Sequence, residues 1–208
     1  MAYLVLVRHG TSAYNEKGLW TGWDDPELNE KGEEDAKAAG ETLMDIHFDE
    51  AYTSDLLRHK QTLQIILETI KQPDVQTIES NALKERDYGD YTAKNKWDIQ
   101  KKVGEAEFLK IRRGWDVPIP NGESLKQVYE REIPYYESTI LPQLKERKNI
   151  IIAGSGNNLR ALVKYLEDIP DDQIDKVQIA PGEVYVYEIN EVGEITHKEI
   201  RNHHELTV

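Results

Sequence analysis

Arg8 and His9 stand together where an apolar run, Tyr3 to Val7, gives way to the polar stretch "RHGTSAYN". An arginine grips an oxyanion through parallel N–H bonds, and a neutral imidazole beside it can attack phosphorus or shuttle a proton. Gly10 admits close backbone approach, and Thr11, Ser12 and Asn15 supply further short-range donors. Taken singly, Arg8 reads as a salt-bridged residue and His9 as a hydrogen-bonded surface one. Their adjacency at a strand end is what points to an anion site.

A second glycine-bearing segment, "GSGNNLR" at 154–160, follows the apolar strand "NIIIAG". It lacks the Lys-Ser/Thr ending of a phosphate-binding P-loop, and Leu159 occupies the last glycine position of G-x-G-x-x-G. Nor is it a nucleophile elbow, because Ala153 and Asn157 flank Ser155 where glycines are required. From its residues the loop remains open between a tight turn and a ligand contact.

These segments need elements to hold them. The run at 3–7 fits a strand buried on both faces. Leu28, Gly32, Ala36, Ala39, Gly40 and Leu43 fall at helical spacing behind Asn29 as a cap. A short strand ends near Thr53, with Ser54 expected to cap a helix striped by Leu56, Leu63, Ile66, Leu67 and Ile70. That places Arg58 in the helix's first turn. The polar stretch from about 81 to 124 reads as an excursion of short helices over the sheet edge and a candidate lid, being rich in Arg, Lys, Tyr and Trp. Pro134 and Pro142 should kink or split the next helix, and a hairpin should turn near Gly193. Strands alternating with helices imply a single α/β domain over 1–208, a largely parallel sheet with helices on both faces. Ligands of such sheets sit beyond the carboxyl ends of the strands, so the loops after Val7 and Gly154 converge with Arg58 on one cleft.

Composition narrows the partners. The 208 residues, 38% hydrophobic and 31% charged, are a soluble globular mixture, and no apolar run approaches the roughly 20 residues a bilayer span needs. We therefore expect a cytoplasmic protein without a membrane partner. The absence of cysteine excludes disulfides, thiolate catalysis and Cys-based zinc sites. A net charge of −13 argues against nucleic acid, which demands clustered cations. A small anion held in a local basic pocket is compatible with it. His203 and His204 lack carboxylate or His partners at ligand spacing, so no metal is expected.

"LVRHGTSAYN", "LWTGWDDPELNEKGEEDAKAAG", "YTSDLLRHKQTL", "LKERDYGDYTAKNKWD", "IRRGWDVP", "GESLKQV" and "NNLRALVKYLED" follow one another along nearly the whole chain. In that order they resemble the cofactor-dependent phosphoglycerate mutases of the histidine phosphatase superfamily. R-H-G alone marks only the superfamily; "TGWDD", "ERDYG" and "IRRGWD" are more specific to the mutases. The resemblance implies a phosphoglycerate mutase-like fold and interconversion of 3- and 2-phosphoglycerate through a phosphohistidine, in glycolysis and gluconeogenesis. It implies 2,3-bisphosphoglycerate as primer and no metal. By the same resemblance His9 is the nucleophile, Arg8 and Arg58 clamp the phosphoryl oxygens, and Glu85 is the general acid/base. Ser12, Asn15, Thr21 and Gly22 would line the pocket, with Arg86, Tyr88, Lys96, Arg112 and Arg113 serving phosphate and carboxylate binding. Gly156 and Asn157 would cup the phosphoryl group.

The chain departs from that family at one of these positions. Where it reads A-H-G-N, with a second catalytic histidine, this sequence reads "AGSGNN", which puts Ser155 in the histidine's place. A neutral hydroxyl replacing a chargeable imidazole implies a slower enzyme. A native enzyme adapted to serine, an altered sequence and a non-catalytic phosphoglycerate binder all remain open, as does a phosphomonoesterase of the same superfamily. No base is expected beside Ser155. Because "GWDVPIPNGES" replaces a longer connection, subunit number is left at monomer or small homo-oligomer.

Overall fold

Ala2–Arg8 forms strand β1 in the computed structural model, which describes residues 1–202. Successive side chains of a strand point to opposite faces, and both faces of β1 are covered. Leu4 and Leu6 pack with Ile133, Tyr136, Leu159 and Leu162 on one side. Val5 and Val7 pack with Ala39, Leu43, Leu63 and Ile66 on the other. This explains why the run is apolar without alternation.

The chain continues through α1 (Ala13–Glu16), α2 (Glu30–Glu41), β2 (Glu50–Thr53), α3 (Leu57–Thr69) and β3 (Gln76–Glu79). Then come α4 (Lys96–Val103), α5 (Glu105–Arg113), α6 (Leu125–Tyr135), α7 (Leu141–Lys145), β4 (Ile150–Gly154), α8 (Gly156–Leu166), β5 (Val184–Ile189) and β6 (Ile195–Arg201). The described strands make one sheet in the order β3-β2-β4-β1-β5-β6. β3, β2, β4 and β1 run parallel, and β5 and β6 close the far side as an antiparallel hairpin. The hairpin turns at Gly193, with Asn190 N donating to Glu194 O. The result is a single α/β domain with a mixed, mostly parallel sheet.

Asn29 caps α2 as its sequence implies, its side chain accepting from Gly32 N. Ser54 does not cap α3. The N-cap position is Leu56, and the first helical N–H, from Leu57, instead reaches Asp25 Oδ1 at 2.6 Å. The Ser54 hydroxyl is used elsewhere, as described below. β3 carries no apolar alternation to reveal it: it is a polar edge strand, mostly exposed, recognisable only by its pairing to β2. Pro134 lies inside α6, and the helix passes through a π-helical segment, Tyr136–Ile140, before α7 begins with Pro142 in its first turn.

The excursion carries its own apolar cluster of Trp20, Tyr88, Ile99, Phe108, Ile111 and Ile119. It is tied to the segment after α1 by backbone bonds Trp20 N to Lys94 O, Ala93 N to Trp20 O and Lys96 N to Gly18 O. Its basic residues thus hang over the end of β1. His203 and His204 lie outside the described residues.

Candidate active site

β1 and β4 are adjacent and parallel, so the turns that follow them open at the same end of the sheet. His9 N donates to Gly154 O across them at 2.8 Å. The loop after β1 is pressed onto the start of α2: a Cβ at Gly10 would lie 2.1 Å from the Gly32 carbonyl oxygen. Only glycine allows that approach. The turn behind His9 is completed by Gly10 N donating to Thr62 Oγ1 and by Thr11 N and Oγ1 donating to Asp35.

The His9 ring is oriented by a 2.6 Å contact between Nδ1 and Gly10 O. A carbonyl oxygen only accepts, so Nδ1 carries the proton and Nε2 keeps its lone pair. Burial, then Arg58 and Arg8, push the His9 pKa well below the usual histidine range. The ring is therefore neutral near pH 7, which a nucleophilic or proton-accepting imidazole requires.

Cations ring this imidazole. Arg8 donates through Nη1 to Ile179 O; Arg58 donates through Nη1 to Asp24 O and through Nη2 to Gly22 O, both at 2.9 Å. The Nε of each guanidinium is buried without a partner among the described residues. Burial lowers the Arg8 pKa and brings that of Arg58 to about 10. Lys96 is lowered to about 8, first by burial and then by Arg112 and Arg8. Arg112 and Arg113, at the end of α5, line the same cleft, and Arg113 Nη2 donates to Gln178 Oε1 at 3.0 Å. Burial and then Arg112 lower the Arg113 pKa. With Arg160 these make six cations around one cleft carboxylate, Glu85, an excess suited to a compact polyanion.

Glu85 is the carboxylate of the cleft. One oxygen accepts from Arg86 N at 2.6 Å and the other from Asn157 N at 3.3 Å. Asn157 Nδ2 donates to Tyr88 Oη at 2.8 Å, and Asn157 Oδ1 accepts from Arg160. The first turn of α8, with Gly156 and Asn157, thus faces the cleft, and its Asn157 N–H already holds the Glu85 carboxylate, a favourable position for negative charge.

A family model of the histidine phosphatase superfamily (branch 1) matches residues 4–200. The chain belongs to the histidine phosphatase superfamily. Its sequence is 45% identical to a 2,3-bisphosphoglycerate-dependent phosphoglycerate mutase of Parvibaculum lavamentivorans, over 95% of both chains. A phosphoglycerate mutase of Schizosaccharomyces pombe is 46% identical over 95% of this chain and 94% of its own. Among solved structures, a mycobacterial glucosyl-3-phosphoglycerate phosphatase in complex with VO3 superposes with a TM-score of 0.84 at 21% identity, covering 97% of this chain and 99% of that one. Bacillus stearothermophilus YhfR gives 0.81 at 24% identity over 94% of each. At those identities the structures show a shared fold.

This superfamily cleft gathers most of the residues singled out from sequence: Arg8, His9, Asn15, Thr21, Gly22, Arg58, Glu85, Tyr88, Lys96, Arg112, Arg113, Ser155, Gly156 and Asn157 all line it. Two residues expected there do not. Ser12 is buried behind Asn15, capping α1 by accepting from Asn15 N. Arg86 is fully buried, lies over the Tyr88 ring, and donates to the carbonyls of Ile111 and Arg112. It holds the end of α5, and so the Arg112 backbone, from behind.

Sequence reasoning missed Trp20, Arg160 and Gln178. Arg160 sits one helical turn after Asn157, a spacing that places both on one face. It donates to Asn157 Oδ1, Arg113 O and Ile174 O, joining α8 to α5, and burial lowers its pKa to about 10. The sequence places no base beside Ser155, yet the structure brings an imidazole there. His59, on α3, places Nε2 2.5 Å from Ser155 Oγ. The two are 96 residues apart, which no local spacing could reveal.

Proposed function

We infer that the protein is a 2,3-bisphosphoglycerate-dependent phosphoglycerate mutase that interconverts 3- and 2-phosphoglycerate through a phosphohistidine at His9. The observation that carries this reading is the neutral His9 ring, its Nδ1–H tied to Gly10 O and its Nε2 free, inside a cleft lined by six cations. The sequence relatives named as phosphoglycerate mutases support the substrate class. On that reading the enzyme serves glycolysis and gluconeogenesis, and a cytoplasmic setting follows from the same assignment.

The buried, unpartnered Nε atoms of Arg8 and Arg58 fit an oxyanion that supplies acceptors at the cleft floor. When bound, 2,3-bisphosphoglycerate supplies the phosphoryl group that primes His9. Arg8 and Arg58 stabilise the charge spread over the transferring oxygens, where positioning and cationic hydrogen bonds do most of the catalysis. Lys96, Arg112 and Arg113 hold the glycerate's carboxylate and its remaining phosphate. Glu85, anchored by the N–H groups of Arg86 and Asn157, takes and returns the proton of the glycerate hydroxyl. Tyr88 receives its hydrogen bond from Asn157, which leaves its own hydroxyl proton for the ligand. Ser155 offers a neutral hydroxyl where an imidazole would carry charge, and we expect turnover lowered by about 10²–10³ on that account. That serine is also the feature favouring a binder that does not turn phosphoglycerates over.

The deciding experiment incubates the unaltered chain with labelled 2,3-bisphosphoglycerate. The expected product is an acid-labile, base-stable label lost in His9→Ala, together with primer-dependent conversion of 3-phosphoglycerate in a coupled assay. Binding without label would leave a non-catalytic binder. Primer-indifferent release of inorganic phosphate from varied esters would mark a phosphomonoesterase.

A further inference from the structure

His59 is fully buried, and its ring stacks on that of His9 with centroids 5.5 Å apart and planes 29° apart. Each of its nitrogens meets a serine hydroxyl: Nδ1 lies 2.8 Å from Ser54 Oγ and Nε2 lies 2.5 Å from Ser155 Oγ. Burial, then Arg58 and His9, depress its pKa well below the usual range, so it is neutral and exactly one nitrogen is a donor. Ser54 Oγ accepts the Leu56 N–H at 3.3 Å. Its own hydrogen is then available to Nδ1, and with Nδ1 accepting it the ring proton sits on Nε2. Nε2–H in turn donates to Ser155 Oγ, and the Ser155 hydroxyl hydrogen is released toward the cleft that Ser155 lines.

We propose that His59 is a positioning residue for phosphoryl transfer, the centre of a one-way hydrogen-bond chain Leu56 N–H, Ser54 O–H, His59 Nε2–H, Ser155 O–H that ends on an oxygen of the bound phosphoryl group. An imidazole thereby serves the site from α3, through a serine, although the loop after β4 contains none. The chain moves no proton and changes no bond; it fixes the direction of one hydroxyl and polarises it. The inference rests on the reading that the His9 cleft receives a phosphoryl group, but it does not require turnover.

Two measurements test it. Long-range ¹⁵N correlation on the unaltered protein should show the neutral His59 ring protonated at Nε2; a proton on Nδ1 would overturn the proposal. Calorimetry with orthovanadate, a phosphoryl mimic, then reads a double-mutant cycle. His59→Ala and Ser155→Ala should each weaken binding about three- to tenfold, the worth of one neutral hydrogen bond, and His59→Ala should cost nothing more in the Ser155→Ala background. Ser54→Ala keeps the ring and should reproduce the loss, guarding against a folding defect in His59→Ala. Independent, additive losses, or no loss in any single variant, would overturn the proposal. If the cycle is coupled yet no phosphohistidine forms, the mutase reading fails and this one stands.

Discussion

Lys96 is the cleft cation whose charge is most easily lost, because burial beside Arg112 and Arg8 brings its pKa to about 8. The unfolded lysine titrates near 10.5. Between about pH 8 and 10.5 the unfolded chain binds the extra proton, so stability attributable to Lys96 rises with pH across that window and is least below it. Lys96→Met keeps the stem and removes the charge. It should raise the melting temperature of the ligand-free protein by about 2–4 °C at pH 7, roughly 1 kcal/mol, while weakening phosphoglycerate binding at least tenfold. Calorimetry and thermal scans on the same preparation check both signs. At this scale the sequence was legible where chemistry follows chain order. His9 after Arg8, Glu85 in "KERDYG" and Arg112–Arg113 could be read because each lies in a contiguous motif. His59 could not, since what gives it meaning is Ser155, brought to it only by the packing of α3 against β4. Ser54 misled for the same reason: a serine before a helix usually caps it, and here the hydroxyl faces an imidazole instead.

The junction of β4 and α8 shows how a departure in one loop position is accommodated by its neighbours. A Cβ on Gly154 would lie 2.7 Å from Asn158 Nδ2 and 3.0 Å from Leu159 Cδ2. The Asn158 side chain fills that space, with Oδ1 accepting from Ser155 N at 2.7 Å and Nδ2 donating to the buried Glu132 at 3.3 Å. Gly154, Ser155, Asn158 and His59 therefore form one interlocked set, which makes the serine part of a coherent arrangement. Gly154→Ala should cost about 1–3 kcal/mol through overpacking, and Asn158→Ser added to it should recover part of that loss. Denaturant titrations of the two singles and the double read the non-additivity; strict additivity would mean that the pair is independent. Elements with strong periodicity, such as α2, α3 and β1, were legible because burial of one face or both dictates their pattern. β3 was not, because an exposed polar edge strand takes its conformation from β2 alone.

At the scale of the whole molecule, the cleft lies between a large layered core and a small satellite one. Phe108 is buried in the satellite cluster with Trp20, Ile99 and Ile111 and stays outside the two clusters that clamp the sheet. Phe108→Ala should cost about 3–5 kcal/mol, felt mainly in that cluster. Hydrogen exchange should then speed up in α4 and α5 while β1 and β4 keep their protection, and KM should rise more than kcat falls. Equal loss of protection throughout would mean that the layers unfold together. The parallel layering was legible from alternating strands and helices; where the excursion docks was not, because its anchors are backbone bonds to the segment at 18–20. The excess of guanidinium and ammonium groups over the one cleft carboxylate has a practical corollary. An acidic protein of net charge −13 keeps a knot of mutually repelling positive groups at its centre, and any buffer ion that quiets them tightens the fold. Its melting point in phosphate should exceed that in an amine buffer of equal pH and ionic strength by about 5–10 °C once phosphate reaches a hundred times its dissociation constant. Thermal stability thus becomes a gauge of occupancy, readable without any assay of the reaction.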